Sequence, residues 1–413
     1  MKLPILIIFV VSLFTHILFF GQPKEVVFDE VYTGRFISSY SKGEYYFDLH
    51  PPLGKLISYY AGKLVGIDYK GIDFGSIGNT LSEQIVYLRI LPLIAGILLP
   101  IIIYLICINL NISKTSSFMV GILVCLENSL IVQSRFILFD AIMIFFGFSA
   151  ILLYLIYAKN EKKYYLLILS SIFASSAFSI KWTALSFVLF IAIYEMWRVG
   201  NYRKTLKLVF VYFVIGVLVY LSVFYVHFIY FPEIQTNFFH NFVVLNIEML
   251  RASTSMTATH SYSSVWFTWP LMLRPIFYWQ NIEQGRYIYL LGNPLIYLIS
   301  IVSISYLSLL ILLKKVKDRV SAVIVMGFIV NFLPFMFIGR VMFLYHYEVA
   351  LIFAIISIGF LLDSIKNEKN RIITTCLLVG LCILTFIYFS PLTYGLKLDN
   401  DQLNNRMWVS SWR

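Results

Sequence analysis

Apolar residues come in long runs separated by short polar breaks. The first run covers residues 3–20. Others follow at about 85–109, 116–133, 138–158, 164–180, 182–197, 208–230, 287–312, 320–338, 341–363 and 372–390. Many reach the roughly 18 residues that read as a membrane-spanning helix, whereas a soluble protein with a large core needs shorter ones. The pattern therefore predicts an all-α integral membrane protein with about eleven spans. The cut inside 164–197 falls around Lys181 and Trp182. The first run ends Leu18-Phe19-Phe20-Gly21 with no small-x-small site, so an uncleaved first span is expected.

The polar stretches between the runs give the organisation. Residues 22–84 form a large first loop and residues 231–286 a second one, with 1–413 as a single polytopic membrane domain. Residues 44–60 and 82–86 are expected to lie as helices on the membrane surface. Short basic loops hold Lys159, Lys162 and Lys163; Arg198, Arg203, Lys204 and Lys207; Lys314, Lys315, Lys317 and Arg319; and Lys366, Lys369 and Arg371. They alternate onto one side, which positive charge marks as cytoplasmic. The N-terminus is then cytoplasmic, both polar loops and the tail from Ser390 are extracytoplasmic, and the chain is a multi-pass protein of the cell membrane.

Composition agrees. The chain is 60% hydrophobic and 13% charged, against about 25% charged in a soluble domain, and its mean hydropathy is +0.83. The net charge of +11 lies in loops beside lipid and forms no single stripe, so membrane lipids are its partner and nucleic acid is not. Cys107, Cys125, Cys376 and Cys382 sit inside apolar runs without metal-ligand spacing and read as packing residues.

Charges at span ends add a second pattern. Arg89, Glu127, Arg135, Asp140, Lys181, His227, Arg340, His346 and Glu348 all fall at the outer end of a span, and only Glu195 clearly at the inner end. Snorkelling has no such preference for one side. The bias predicts a polar, charge-mixed cavity open to the outer leaflet. A transporter would place polar groups near the midplane and at both gates.

The chemistry concentrates in Val26–Lys55. Asp29 and Glu30 form a carboxylate pair between apolar Phe28 and Val31 just outside the first span, where desolvation makes a carboxylate a better base. In Asp48-Leu49-His50-Pro51-Pro52-Leu53-Gly54-Lys55 the prolines fix the backbone ahead of a helix starting near Leu53, and Gly54 permits close packing. Asp48 and His50 are placed to orient that loop. Arg89, Arg135, Arg340 and His346, with Tyr345 and Tyr347, make a basic, hydroxyl-bearing set suited to phosphate. A phosphate at the outer surface suggests a lipid-linked one.

With these residues in view the chain resembles the protein O-mannosyltransferases, family 39 of the glycosyltransferases. The similarity runs nearly end to end. It is carried by Phe28-Asp29-Glu30-Val31-Tyr32, the His50-Pro51-Pro52 stretch, Tyr87-Leu88-Arg89, Gln133 to Asp140, and Ser179-Ile180-Lys181-Trp182. Further on it includes His260 to Pro275, Leu291-Gly292-Asn293-Pro294, Arg340 to Tyr347 and Ser390 to Gly395. The resemblance implies a GT-C-type glycosyltransferase fold and a polyprenyl- or dolichyl-phosphate-mannose donor. It implies transfer to Ser or Thr hydroxyls of proteins on the extracytoplasmic face. Asp29 matches the catalytic acidic position and is the expected general base, with Glu30 as its catalytic partner. Arg89 matches a basic residue important to activity. Arg135, Arg340, Tyr345, His346, Asp48 and His50 are expected to contact lipid phosphate or sugar. Eukaryotic members carry a β-trefoil domain where this chain has only residues 231–286, so a short prokaryotic-type member is implied.

The expected reaction is an inverting single displacement with no cofactor and no metal ligands. Donor and acceptor protein are the expected partners, with dimerisation left open. Three other readings stay open: a GT-C transferase moving another lipid-linked sugar to a lipid or glycan, a flippase or transporter for lipid-linked sugar, and an inactive structural partner in a heterodimer, against which the intact acidic pair argues.

Overall fold

The computed structural model describes residues 2–69, 72–231, 237–255, 260–315 and 319–413. Residues 70–71 of the first polar loop, 232–236 and 256–259 of the second, and Lys317 of a basic loop lie outside that set.

The chain is mostly helical. Helix α1 (Lys2–Ile17) leads into the first loop, which holds α2 (Glu30–Lys42) and α3 (Leu53–Leu64). After α4 (Glu83–Asn109) comes a pair, α5 (Lys114–Cys125) and α6 (Asn128–Ser134), bent by 56°. Four long segments follow: α7 (Asp140–Lys159), α8 (Tyr164–Phe178), α9 (Trp182–Val199) and α10 (Tyr202–Ile229). The second loop holds α11 (Phe238–Ser255) and an antiparallel hairpin of β1 (Ile276–Asn281) and β2 (Arg286–Leu290). The chain closes with α12 (Pro294–Leu312), α13 (Val320–Phe337), α14 (Leu344–Asp363), α15 (Glu368–Tyr394) and short α16 (Asn400–Arg406).

Among the described residues, eight helices are long and apolar enough to cross a membrane, or nine if the bent pair is one crossing. Eleven spans were expected, and the remaining two coincide with α1 and α8. These are apolar but have only 16 and 15 residues, short of the roughly 20 a span needs. The span expected at 287–312 starts later, because Arg286–Leu290 is a strand that merely continues the apolar run. The first loop is more helical than expected: α2 occupies a stretch with no predicted element. The expected surface helix at 82–86 is the first turn of α4. The tail expected from Ser390 begins later, since α15 runs through Pro391 to Tyr394.

The break between α5 and α6 has a visible cause. Glu127 sits in it fully buried and accepts from Ser129 N–H (3.0 Å) and from Asn293 N–H (3.2 Å). One carboxylate thus satisfies a free N–H group at the start of α6 and fixes the entry to α12. The core lies around α14, which packs on α5, α12 and α13 and is 72% buried along its apolar window. Helix α10 is 17% buried and α15 22%, so these two form the lipid-facing rim. Helix α1 is stitched to its neighbours by Ser12 Oγ donating to Ile97 O (2.9 Å) and Tyr394 OH donating to Thr15 O (2.6 Å).

Candidate functional site

Asp29 stands at the head of α2, where the backbone takes an unusual course. Phe28 has φ +45°, a left-handed conformation that costs a non-glycine residue about 1–3 kcal/mol unless its surroundings enforce it. Here they do. The Phe28 ring stacks on Tyr278 of β1 at 4.2 Å and 10°, and Phe28 N–H donates to Tyr278 O (3.2 Å). Tyr278 OH in turn donates to Gln133 Oε1 (2.6 Å). The Asp29 carbonyl accepts from Tyr32 and Thr33 N–H, both at 2.9 Å, while its side chain makes no capping bond. The residue is half-buried, and desolvation pushes its carboxyl up to about 7. Lys181 opposes that shift, and Asp140 and Asp48 add to it. Lys181, Asp140 and Asp48 are therefore close enough for their charges to act on Asp29.

Glu30 is fully buried and accepts four hydrogen bonds. Arg89 Nε and Nη2 reach its two oxygens at 2.8 and 2.7 Å. Ile137 N–H (2.8 Å) and Val27 N–H (2.9 Å) supply the others. This ties α2, the start of α4 and the α6–α7 connection into one knot. It gives Glu30 a positioning geometry, where the sequence suggested a second catalytic acid.

Two expectations for the arginines are corrected. The remaining Arg89 donors go to Pro23 O and Glu25 O, both at 2.7 Å, and its guanidinium lies over Phe136 at 5.0 Å. Arg135 donates to the carbonyls of His16, Leu18 and Phe19 at 2.7–2.8 Å and lies over Tyr394. Both are buried. Most of their donors are taken up by protein acceptors, Arg135 Nε being left buried without one, and both side chains are sealed from the surface, so neither is placed to grip a phosphate. Arg135 instead closes the free carbonyls at the end of α1.

The Asp48–Lys55 stretch folds as a buttress. Lys55 Nζ donates to Asp48 Oδ2 (2.8 Å) and His50 O (3.0 Å), and His50 N–H donates to Asp48 Oδ1 (3.2 Å). Asp48 thus braces the turn, the orienting role expected of it from the sequence. Leu53 N–H then donates to Ser179 O (3.1 Å). That bond joins the start of α3 to the break between α8 and α9, and so to Lys181.

The break delivers Lys181 to Asp140, their charged atoms 2.6 Å apart and each side chain 12% exposed. Lys181 also lies over the Tyr345 ring at 5.0 Å. This pair borders a cavity of about 510 Å³ whose polar lining includes His50, Asp140, Lys181, Arg340, Tyr345 and His346. Burial and the charges of Lys181 and Arg340 push the His50 imidazole well below its usual range, which keeps it neutral. His346 stacks on Tyr345 (4.4 Å, 23°) and on Trp269 (5.8 Å, 13°), with Nδ1 on Phe343 O (3.0 Å). Arg340 is half-buried, and no acceptor among the described residues bonds to it. The rest of the lining is apolar and includes Leu185, Leu189, Val209 and Ile338. Leu185 and Leu189 are exposed on the outside of α9, so the cavity reaches the lipid-facing side.

The expected charge-mixed cavity is therefore divided. Asp140, Lys181, Arg340 and His346 meet in it, whereas Arg89, Arg135 and Glu127 are separately buried. Sequence reasoning placed Lys181 and Asp140 among the charges of the cavity but gave them no role toward substrate. The signal was there: a lysine between two apolar runs has a cost that something must offset. Tyr278 carried no such signal.

Comparison with known proteins adds the family. Residues 6–231 match the model of dolichyl-phosphate-mannose-protein mannosyltransferase, and residues 238–412 match that of the C-terminal four-transmembrane region of protein O-mannosyltransferase. Dolichyl-phosphate-mannose–protein mannosyltransferase 4 of Candida albicans is 31% identical over 240 residues, 52% of this chain and 32% of that protein. The chain thus covers a third or less of the length of the curated relatives it matches. The Saccharomyces cerevisiae protein O-mannosyltransferase Pmt1–Pmt2 complex bound to the sugar donor superposes with a TM-score of 0.93 at 18% identity, covering 100% of this chain and 92% of that one. ArnT from Cupriavidus metallidurans bound to undecaprenyl phosphate superposes at 0.60 and 13% identity, covering 93% of this chain and 69% of that one. These likenesses show the GT-C fold.

Proposed function

The chain belongs to the dolichyl-phosphate-mannose-protein mannosyltransferase family, and on that premise we propose that it transfers mannose from a polyprenyl-phosphate-mannose donor to Ser or Thr hydroxyls of a protein. The observation that carries the reading is the cavity itself. Its polar end combines Lys181 and Arg340, to which no described residue bonds, with neutral His50, its apolar walls reach lipid, and Asp29 lies within electrostatic reach of Lys181. A lipid phosphate needs such an arrangement: positive charge for the head, grease for the chain.

The chemistry is a single displacement. The acceptor oxygen bonds to the sugar's anomeric carbon while the bond from that carbon to the phosphate oxygen breaks. The hydroxyl proton passes to Asp29, and the phosphate leaves with the bonding electrons, stabilised by Lys181 and Arg340. Attack opposite the leaving group inverts the anomeric centre, by the same logic as an inverting glycosidase. No general acid is needed, because phosphate leaves already charged. Glu30 and Arg89 hold Asp29 in place through α2. The positive charge comes from side chains, so transfer in EDTA is the expected result, and loss restored by a divalent ion would contradict it. The basic loops support an orientation with the cavity's polar end outside the cytoplasm.

The test is purified protein in liposomes, without any ion gradient, given sugar-labelled polyprenyl-phosphate mannose and a Ser/Thr-rich peptide. Label on the peptide, in the opposite anomeric configuration to the donor, is expected. Label moved across the bilayer without chemistry would establish a flippase instead.

A further inference from the structure

Helix α11 shows three faces where a helix in a soluble loop shows two. One face packs into the protein: Leu245 and Met249 form a buried cluster with Phe224 and Phe228 of α10, and Tyr220 OH donates to Asn246 Oδ1 at 2.7 Å. A second face carries Phe239, Val243, Ile247 and Leu250, spaced as one helical stripe and between 42% and 68% exposed. The third holds exposed His240, Glu248 and Arg251, with Val244 among them. Greasy and polar arcs thus lie side by side on the exposed surface, the pattern of a helix in the plane of a membrane boundary.

The surroundings say what covers the stripe. Tyr220 lies nine residues before the end of α10, so α11 runs along roughly the last 13 Å of a membrane-crossing helix at 1.5 Å per residue. That stretch of α10 shows exposed Tyr225 and Ile229, and the Tyr225 ring meets Phe238 at 6.0 Å. The lipid-facing surface of α10 therefore continues onto α11. We propose that α11 is an interfacial helix whose Phe239–Val243–Ile247–Leu250 stripe inserts into the leaflet on the active-site side, with His240, Glu248 and Arg251 facing water. The inner face of α11 makes this matter for the site. Leu245 and Met249 close a small cavity with Tyr45, Asp48 and His50. Lipid docking of α11 thereby holds down the turn that carries His50 into the large cavity.

The test needs no donor, so its outcome is separate from that of the transfer reaction. Full-length protein with the exposed Cys376→Ser carries single changes Phe239→Cys, Val243→Cys, Ile247→Cys and Leu250→Cys, and in parallel His240→Cys and Glu248→Cys. Each is spin-labelled and reconstituted in phosphatidylcholine–phosphatidylglycerol liposomes, and its accessibility to oxygen and to a water-soluble nickel chelate is measured. Stripe labels are expected to favour oxygen and the two polar-arc labels the chelate. Stripe labels that favour the chelate would place the stripe in water, and labels shielded from both probes would mean that protein covers it; either result overturns the proposal.

Discussion

A carboxylate held by four donors has no lone pair free for an incoming proton, and Glu30 is in that state. Asp29, one residue earlier, has no capping bond and a carboxyl pushed up to about 7 by desolvation. The two should part company on mutation. Glu30→Gln leaves the buried Arg89 charge without its partner, a class of change that costs about 3–5 kcal/mol, and thermal unfolding in detergent should show that loss. The raised carboxyl also sets a pH dependence. A base must be ionised to act, so kcat/KM should rise with pH through a midpoint near 7. Lys181 stabilises the ionised form, and in Lys181→Met the midpoint should move to higher pH; an unchanged midpoint would separate Lys181 from the base. At this scale the sequence was half legible. Adjacent acids at a lipid boundary pointed to the site, but which of them bonds to Arg89 depends on contacts across 59 residues that no local pattern encodes.

At the scale of elements, the site is three connections pressed together: the head of α2, the turn before α3, and the break between α8 and α9. Gly54 makes a close fit beside them. A Cβ there would meet Phe139 at 2.8 Å, and Phe139 precedes Asp140. Gly54→Val should therefore cost about 1–3 kcal/mol by overpacking and disturb the Asp140–Lys181 pair, measurable as a lower melting temperature together with a weakened donor KM. A variant with unchanged melting and KM would show that α3 yields freely. The sequence foresaw the close packing at Gly54 and the break at Lys181. It did not foresee the β1–β2 hairpin: Arg286–Leu290 is apolar enough to read as the start of a span, and only pairing with Ile276–Asn281 makes it a strand.

For the whole molecule, long apolar runs made the membrane class legible, because bilayer thickness sets helix length directly, while the GT-C fold followed only from the family resemblance. What they could not show is depth. Arg89 and Arg135 fall at span ends just as Arg340 does, yet the first two are sealed inside the protein and only Arg340 reaches the cavity. Charge placement along a chain reports the end of a span and says nothing of which way a side chain turns. The central claim is that this cavity holds a lipid-phosphate sugar whose transfer Asp29 initiates. The most direct measurement compares wild type with Asp29→Asn in liposomes supplied with labelled polyprenyl-phosphate mannose and a Ser/Thr-rich peptide. The account predicts label on the peptide with wild type, a rate lower by about 10²–10⁴-fold in the variant, and the same melting temperature for both. Transfer by Asp29→Asn at the wild-type rate, or label from wild type entering a lipid or glycan and never the peptide, would contradict it.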